Sequence, residues 1–381
     1  MLPTLRPWPR ESNVVVGSCE FMSVIKIQTP PTTERVPDLD GLRGLAILMV
    51  IVCHYVFLPR FGRGSMITVG ISIFASGVTL FFVLSGFLIG GILLDNRLSL
   101  RYFTAFYGRR ISRIFPVYYS FLIAMLCGGL ALHAHHLPTP VFDAGTPFVL
   151  FWIYLQNFGL AWFKDWNWIT VTMTWSLALE EQFYLTLPVA VKALRDRSLV
   201  ILSGMLVILA PIARYFFPYT PYKINALIDQ ACNADALAAG VLCAVFVRST
   251  LRVPSRQISL FAAASALLIV LSYSFDWPVL RPTLLLFFYS CGLLLAVQGR
   301  MAPLRWPGMR FFGTISYTLY MIHQSVLVAV RWAFGRFVPE FGRHFVFVSL
   351  VALLLSVAIC KASWDYFERP ILSWARRRFR Y

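Results

Sequence analysis

Apolar residues in this chain fall in long, nearly unbroken stretches rather than in the alternating or one-sided patterns of half-buried strands and surface helices. A bilayer core about 30 Å thick needs about 20 predominantly apolar residues in helical form. Runs of adequate length lie near 42–58, 67–94, 112–132, 147–163, 175–191, 199–217, 230–247, 257–275, 281–299, 311–333 and 344–368. The pattern therefore predicts helices throughout, with eleven candidate spans. Composition agrees: 58% of residues are hydrophobic and 13% charged, against roughly 45–50% and 25% in soluble domains. With a mean hydropathy of +0.69, an ordinary soluble protein, a disordered chain and a coiled coil are excluded. An all-α, polytopic transmembrane bundle remains.

Charge then decides which runs cross. Thirty-four Lys and Arg against 17 Asp and Glu give a formal +17, which in a membrane protein reflects the basic residues that collect in cytoplasmic loops. Nucleic acid is not an expected partner. Arg97, Arg101, Arg109, Arg110 and Arg113 after the second run mark that loop as cytoplasmic. If 147–163 also crossed, Lys192, Arg195, Arg197 and every later basic cluster would face outward. If it instead lies along or re-enters the outer face, 24 of the 34 basic residues fall inside. The prediction is thus about ten spans with both termini cytoplasmic. The Trp-rich stretch 147–174, with Trp152, Trp162, Trp166 and Trp168 and with Trp175 just beyond, becomes an outer-face element, read either as an interfacial belt or as a sugar-stacking wall.

The first 37 residues read as a cytoplasmic segment without a cleaved signal peptide. Met22 is a second candidate start, which would make residues 1–21 an artefact. The seven scattered cysteines lack any CxxC pairing, so neither a disulfide framework nor a metal site is expected. His133, His135 and His136 read as a solvated loop.

Ionisable groups inside spans are costly and are functional candidates by default. His54 lies 11 residues beyond Arg43, about 16 Å deeper at 1.5 Å per residue, where a largely neutral imidazole can be a general base. Arg110 and Arg113 share a helical face and with Arg43 can hold phosphate through bidentate contacts. Glu180 and Glu181 sit in an apolar helix opening from outside, and cannot both face lipid. His323 is a second histidine at mid-depth. The small residues around Ser85, Gly86, Gly90 and Gly91 suit close helix approach. No P-loop, HExxH or GxSxG motif is present.

Six segments in order, DGLRGLAILMVIVCHY (40–55), FFVLSGFLIGGIL (81–93), FYGRRISRIFPVYY (106–119), TWSLALEEQFYL (174–185), SYTLYMIHQ (316–324) and YFERPI (366–371), resemble the acyltransferase 3 family of bacterial integral membrane O-acyltransferases. The resemblance covers 38–371, leaving 372–381 as a basic cytoplasmic tail. It implies ten spans in the bacterial inner (plasma) membrane and an acyl-coenzyme A donor entering from the cytoplasm, with acetyl the leading acyl group. It further implies a hydroxyl on a carbohydrate-containing acceptor at or beyond the outer face. By position, His54 matches the family's essential histidine, Arg43 its DGLRG arginine, Arg110 and Arg113 its RxxR pair, and Glu180 its WSLxxE carboxylate. His54 and Glu180 are thus the expected catalytic residues, the three arginines the expected donor-binding residues, and no metal is expected. Some relatives append an SGNH-type domain; none follows here, so action alone or with a separate partner is expected. The competing expectation is a proton-coupled transporter or flippase with His54, Glu180 and His323 as its relay.

Overall fold

The computed structural model describes residues 36–60, 62, 64–135, 146–163, 169–216, 232–338 and 344–381. The segment 1–35 with Met22, together with His136, Trp166 and Trp168, lies outside these residues. Among the described residues every regular element is helical. In chain order they are α1 (Pro37–Val52), continued by a π-helical turn (Cys53–Phe57) and a 3-10 turn (Leu58–Arg60), then α2 (Ser65–Ala75), α3 (Gly77–Asp95) and α4 (Tyr102–Ala134). Three short helices follow, α5 (Val149–Trp152), α6 (Gln156–Phe163) and α7 (Ile169–Thr172). The remainder are α8 (Trp175–Ala193), α9 (Asp196–Phe216), α10 (Ala234–Arg248), α11 (Ser255–Ser274), α12 (Arg281–Val297), a 3-10 turn (Ala302–Arg305), α13 (Pro307–Phe337), α14 (Phe345–Ser363) with a second π-helical turn (Trp364–Glu368), and α15 (Arg369–Arg378).

Ten of the eleven apolar runs coincide with these long helices. The eleventh, 147–163, is α5 and α6, of four and eight residues, neither long enough to span. The chain reverses between them at Tyr154, with φ +56°, and the phenol ring stacks on Tyr118 of α4 at 4.5 Å. Tyr118 and Tyr119 hydroxyls donate to the carbonyls of Phe151 and Trp152 at 2.7 and 3.0 Å. The element is therefore pinned to the bundle through its backbone, and Trp152 stacks on Tyr119.

Among the described residues six helical segments are long and apolar enough to cross a membrane: 37–60, 65–95, 102–134, 196–216, 255–274 and 345–378. The other four long helices fall short for identifiable reasons. α10 and α12 have only 15 and 17 residues. α8 carries Glu180, Glu181 and Lys192, and α13 carries His323, Arg310, Arg331 and Arg336. The groups that dilute the hydropathy of α8 and α13 include the chemical candidates.

Close backbone packing fixes the helices around these groups. A Cβ on Gly44 would lie 2.0 Å from the Met309 carbonyl oxygen, and one on Gly313 would lie 1.9 Å from that of Asp40, so α1 and α13 touch backbone to backbone. Gly86 of α3 and Gly240 of α10 meet in the same way, which makes the small-residue segment around Ser85 a packing device. Ion pairs clamp the loop ends: Arg248 to Asp95 at 2.6 and 2.7 Å, Arg97 to Asp196 at 2.6 Å and Arg305 to Asp38 at 2.5 Å. The basic tail folds back on α4, where Arg109 donates to the Phe379 carbonyl at 2.6 Å and faces the Tyr381 ring.

Candidate active site

α4 begins at Tyr102, ten residues before the apolar run visible in the sequence. Arg110 and Arg113 are consequently eight and eleven residues along the helix, about 12 and 16 Å from its start, rather than at its mouth. Arg43 is likewise six residues into α1 and Glu180 five residues beyond Trp175 at the start of α8. These four side chains line one cavity, together with Ser85, Tyr184, Ser316, Tyr317 and Tyr320. Phe81, Phe82, Leu88, Ile114 and Leu177 supply apolar wall.

This corrects one expectation. A separation of arginines at the inner surface from Glu180 near the outer side does not hold, because the chain draws the arginines inward to the level of the carboxylate. Ser85 donates to Glu180 Oε1 at 2.5 Å and accepts from the Tyr184 hydroxyl at 3.2 Å. The Arg110 guanidinium lies over the Tyr184 ring at 5.2 Å. Among the described residues Arg43, Arg110 and Arg113 form no ion pair and no hydrogen bond. Three guanidinium groups thus face one cavity opposite a single hydrogen-bonded carboxylate. Glu181, one position on, turns away, and its Oε1 is buried without a hydrogen-bond partner. The neighbouring Gln182 instead bridges to Asn157 and the Tyr154 carbonyl, holding α6 against α8.

The two mid-depth histidines meet. His323 is fully buried, and its Nε2 is 3.3 Å from His54 Nδ1, with ring centroids 5.0 Å apart. Their meeting follows from register: the two lie ten residues beyond Gly44 and Gly313, on helices that run parallel from that contact, so equal rise brings both to one level. His54 is the second residue of its π-helical turn, an irregularity that recurs at functional sites. The second such turn ends on Glu368 of the YFERPI segment, buried and accepting from Thr318 at 2.7 Å and Ser363 at 3.0 Å.

His54 is not among the residues lining the cavity. Tyr320 joins the two regions: it forms part of the cavity wall, and its ring centroid is 5.9 Å from that of His323. Its hydroxyl pairs with Ser176 at 2.7 Å and donates to the Met173 carbonyl at 3.1 Å. The relay expected of a transporter is therefore split, with Glu180 among the arginines and the histidines beyond Tyr320. Sequence reasoning passed over Ser85, Tyr184 and Tyr320 as site residues, since hydroxyls within apolar runs carry no signal of their own. His323 was legible as an imidazole at mid-depth in an apolar run. Among the described residues no group of three or more His, Cys, Asp or Glu is arranged to hold a metal.

The architecture is that of a multi-pass helical membrane protein with an arginine-lined interior cavity. The chain belongs to the acyltransferase domain family, whose family model matches residues 36–361. It is similar to the putative peptidoglycan O-acetyltransferase YrhL of Bacillus subtilis, with 26% identity over 90% of this chain and 56% of the relative. It is also similar to the peptidoglycan O-acetyltransferase OatA of Listeria monocytogenes, with 27% identity over 91% of this chain and 57% of the relative. A putative O-acetyltransferase of Staphylococcus aureus shares 23% identity over 88% and 57%. The chain thus spans little more than half the length of these curated relatives. No solved structure gives a significant match.

Proposed function

We infer that the protein is a membrane O-acyltransferase that moves an acyl group, acetyl foremost, from an acyl-coenzyme A to a carbohydrate hydroxyl, with ten spans and both termini cytoplasmic. The observation that carries the reading is the set of three guanidinium groups around one cavity that form no ion pair among the described residues. Uncompensated buried charge is costly, so a site of this kind is built for an anion, and planar guanidinium forks match phosphate oxygens. The nucleotide phosphates of the donor would occupy the arginine end. Arg43 and His54 are 11 residues, about 16 Å, apart along α1 and the π-helical turn that continues it, and the donor's extended arm would carry the thioester over that distance, past Tyr320, to His54.

There the imidazole takes the proton of the acceptor hydroxyl as its oxygen attacks the thioester carbonyl. An O–C bond forms, the C–S bond breaks, and the proton passes from imidazolium to the departing sulfur. General-base catalysis of this kind contributes about 10²–10⁴ in rate, and the apolar surroundings keep water from the thioester. Glu180 serves the donor end: anchored by Ser85, it balances part of the guanidinium charge, so that the phosphates are held without being trapped. The peptidoglycan named for OatA and YrhL makes a cell-wall glycan the first acceptor to try.

The test is a vesicle assay with acyl-labelled coenzyme A and glycan acceptor. Label should appear covalently on the glycan with the wild-type chain, and fall by about 10²-fold or more with His54→Ala at equal abundance in the membrane. Glycan crossing the bilayer without label would instead establish transport. The topology is checked with single cysteines in a cysteine-free background. Asp276→Cys, at an exposed position between α11 and α12, should react with an impermeant thiol reagent in intact cells. Leu98→Cys, in the exposed loop before α4, should react only after permeabilisation.

A further inference from the structure

The histidine pair assigns protons. His323 Nδ1 lies 2.7 Å from the Tyr320 carbonyl oxygen and 3.2 Å from that of Leu319. Carbonyl oxygens only accept, so this nitrogen carries the hydrogen, and Nε2 of the neutral ring is left as an acceptor. His54 Nδ1 lies 2.9 Å from the Val50 carbonyl oxygen and 3.3 Å from His323 Nε2. It faces two acceptors, so it too carries a hydrogen, shared between them. The hydrogen-bond pattern therefore fixes the lone pair of His54 on Nε2. That atom has no hydrogen-bond partner among the described residues and is not sealed by protein. His323 is itself held on several sides: it is fully buried, and its backbone carbonyl accepts from the Tyr55 hydroxyl at 2.7 Å. Tyr55 in turn contacts Ser356 of α14.

We propose that His323 is the positioning residue for His54, holding it as the Nδ1-protonated tautomer with Nε2 directed to the acceptor hydroxyl. This rests on the acyl-transfer reading above and adds a second residue to it. When Nε2 takes the acceptor proton, the His54 Nδ1–H becomes a charged donor to His323 Nε2, and the hydrogen bond strengthens. A carboxylate commonly does this work for a histidine in water-accessible enzymes. At mid-depth in a membrane a carboxylate is expensive to bury, whereas a neutral imidazole offers the same acceptor geometry without a charge. The backbone contact at Gly44 and Gly313 supplies the alignment, because it fixes the register of the two helices that carry the pair.

The experiment compares wild type, His323→Gln and His323→Leu in the full chain in nanodiscs, with ¹⁵N-histidine labelling to read the His54 tautomer and transfer kinetics alongside. The glutamine oxygen can accept from His54 Nδ1, while leucine is of similar volume and cannot. Wild type should show His54 protonated on Nδ1. His323→Leu should lose that preference and lower kcat by about tenfold or more, with the KM for donor within about twofold, and His323→Gln should recover part of both. A purely structural histidine gives the opposite order, leucine being tolerated at least as well as glutamine with the tautomer unmoved, and that result overturns the proposal. If both variants are lost from the membrane, the wild-type spectrum decides, since protonation of His54 on Nε2 overturns it. Full transfer by His54→Ala would instead remove His54 from the acyl-transfer mechanism on which the proposal rests, an outcome separate from the tautomer result.

Discussion

Two populations of arginine share this molecule, and their surroundings set them apart. At the loop ends Arg97, Arg248 and Arg305 each pair with an aspartate, and Arg214 pairs with Asp235 where both are almost wholly buried. Around the cavity Arg43, Arg110 and Arg113 have no such partner among the described residues. Both populations add equally to the positive charge that orients a membrane protein. The first is neutralised by the fold and fastens helix ends together. The second lines the cavity, where the carboxylate of Glu180 is hydrogen-bonded to Ser85 rather than ion-paired with an arginine. An arginine of these two sets thus either fastens helices through an aspartate or lines the cavity without an ion pair among the described residues.

The comparison predicts unequal consequences for superficially similar substitutions. The largest is expected at the buried pair: Asp235→Ala removes a carboxylate facing Arg214 and should cost about 3–5 kcal/mol, read as a fall in the unfolding midpoint of the purified protein. An unchanged midpoint would dissolve the distinction. Next comes the cavity, where Arg113→Lys keeps the charge but loses the planar fork. Binding of acyl-coenzyme A should weaken by about 1–3 kcal/mol, with the unfolding midpoint unaffected. Glu180→Gln, which removes the one carboxylate at that end, should bind the same donor as tightly or more tightly while slowing transfer. If Glu180→Gln loses donor affinity and Arg113→Lys retains it, the assignment of the cavity to donor phosphate is wrong. The smallest effect belongs to the pair of Arg281 with the exposed Asp276: Asp276→Asn should shift stability by under about 1 kcal/mol.

The same contrast explains how much of the site was legible. Arg43, Arg110, Arg113, Glu180 and His54 stood out because charge and imidazole in apolar runs are rare and costly. Their grouping did not stand out. Reading α4 from its apolar run put its start ten residues too late and left the arginines at the surface, since a helix boundary set by Tyr102, Ala105 and Phe106 packing inward has no counterpart in hydropathy. The partnership of His54 with His323, 269 positions apart, rests on two glycines whose contact appears only when α1 and α13 are side by side.

The sequence alone determined the helical class, the ten long helices and the short non-spanning element at 147–163, because burial in lipid demands internally hydrogen-bonded helices of a set length. It also determined which side chains were too costly to be incidental. Only the tertiary structure decided which arginines are neutralised and which face a cavity, that Glu180 shares that cavity, and that two distant histidines form a pair. Those outcomes depend on the register and crossing of helices packed at glycines, and a hydropathy pattern records where a helix lies along the chain without recording which face meets which neighbour.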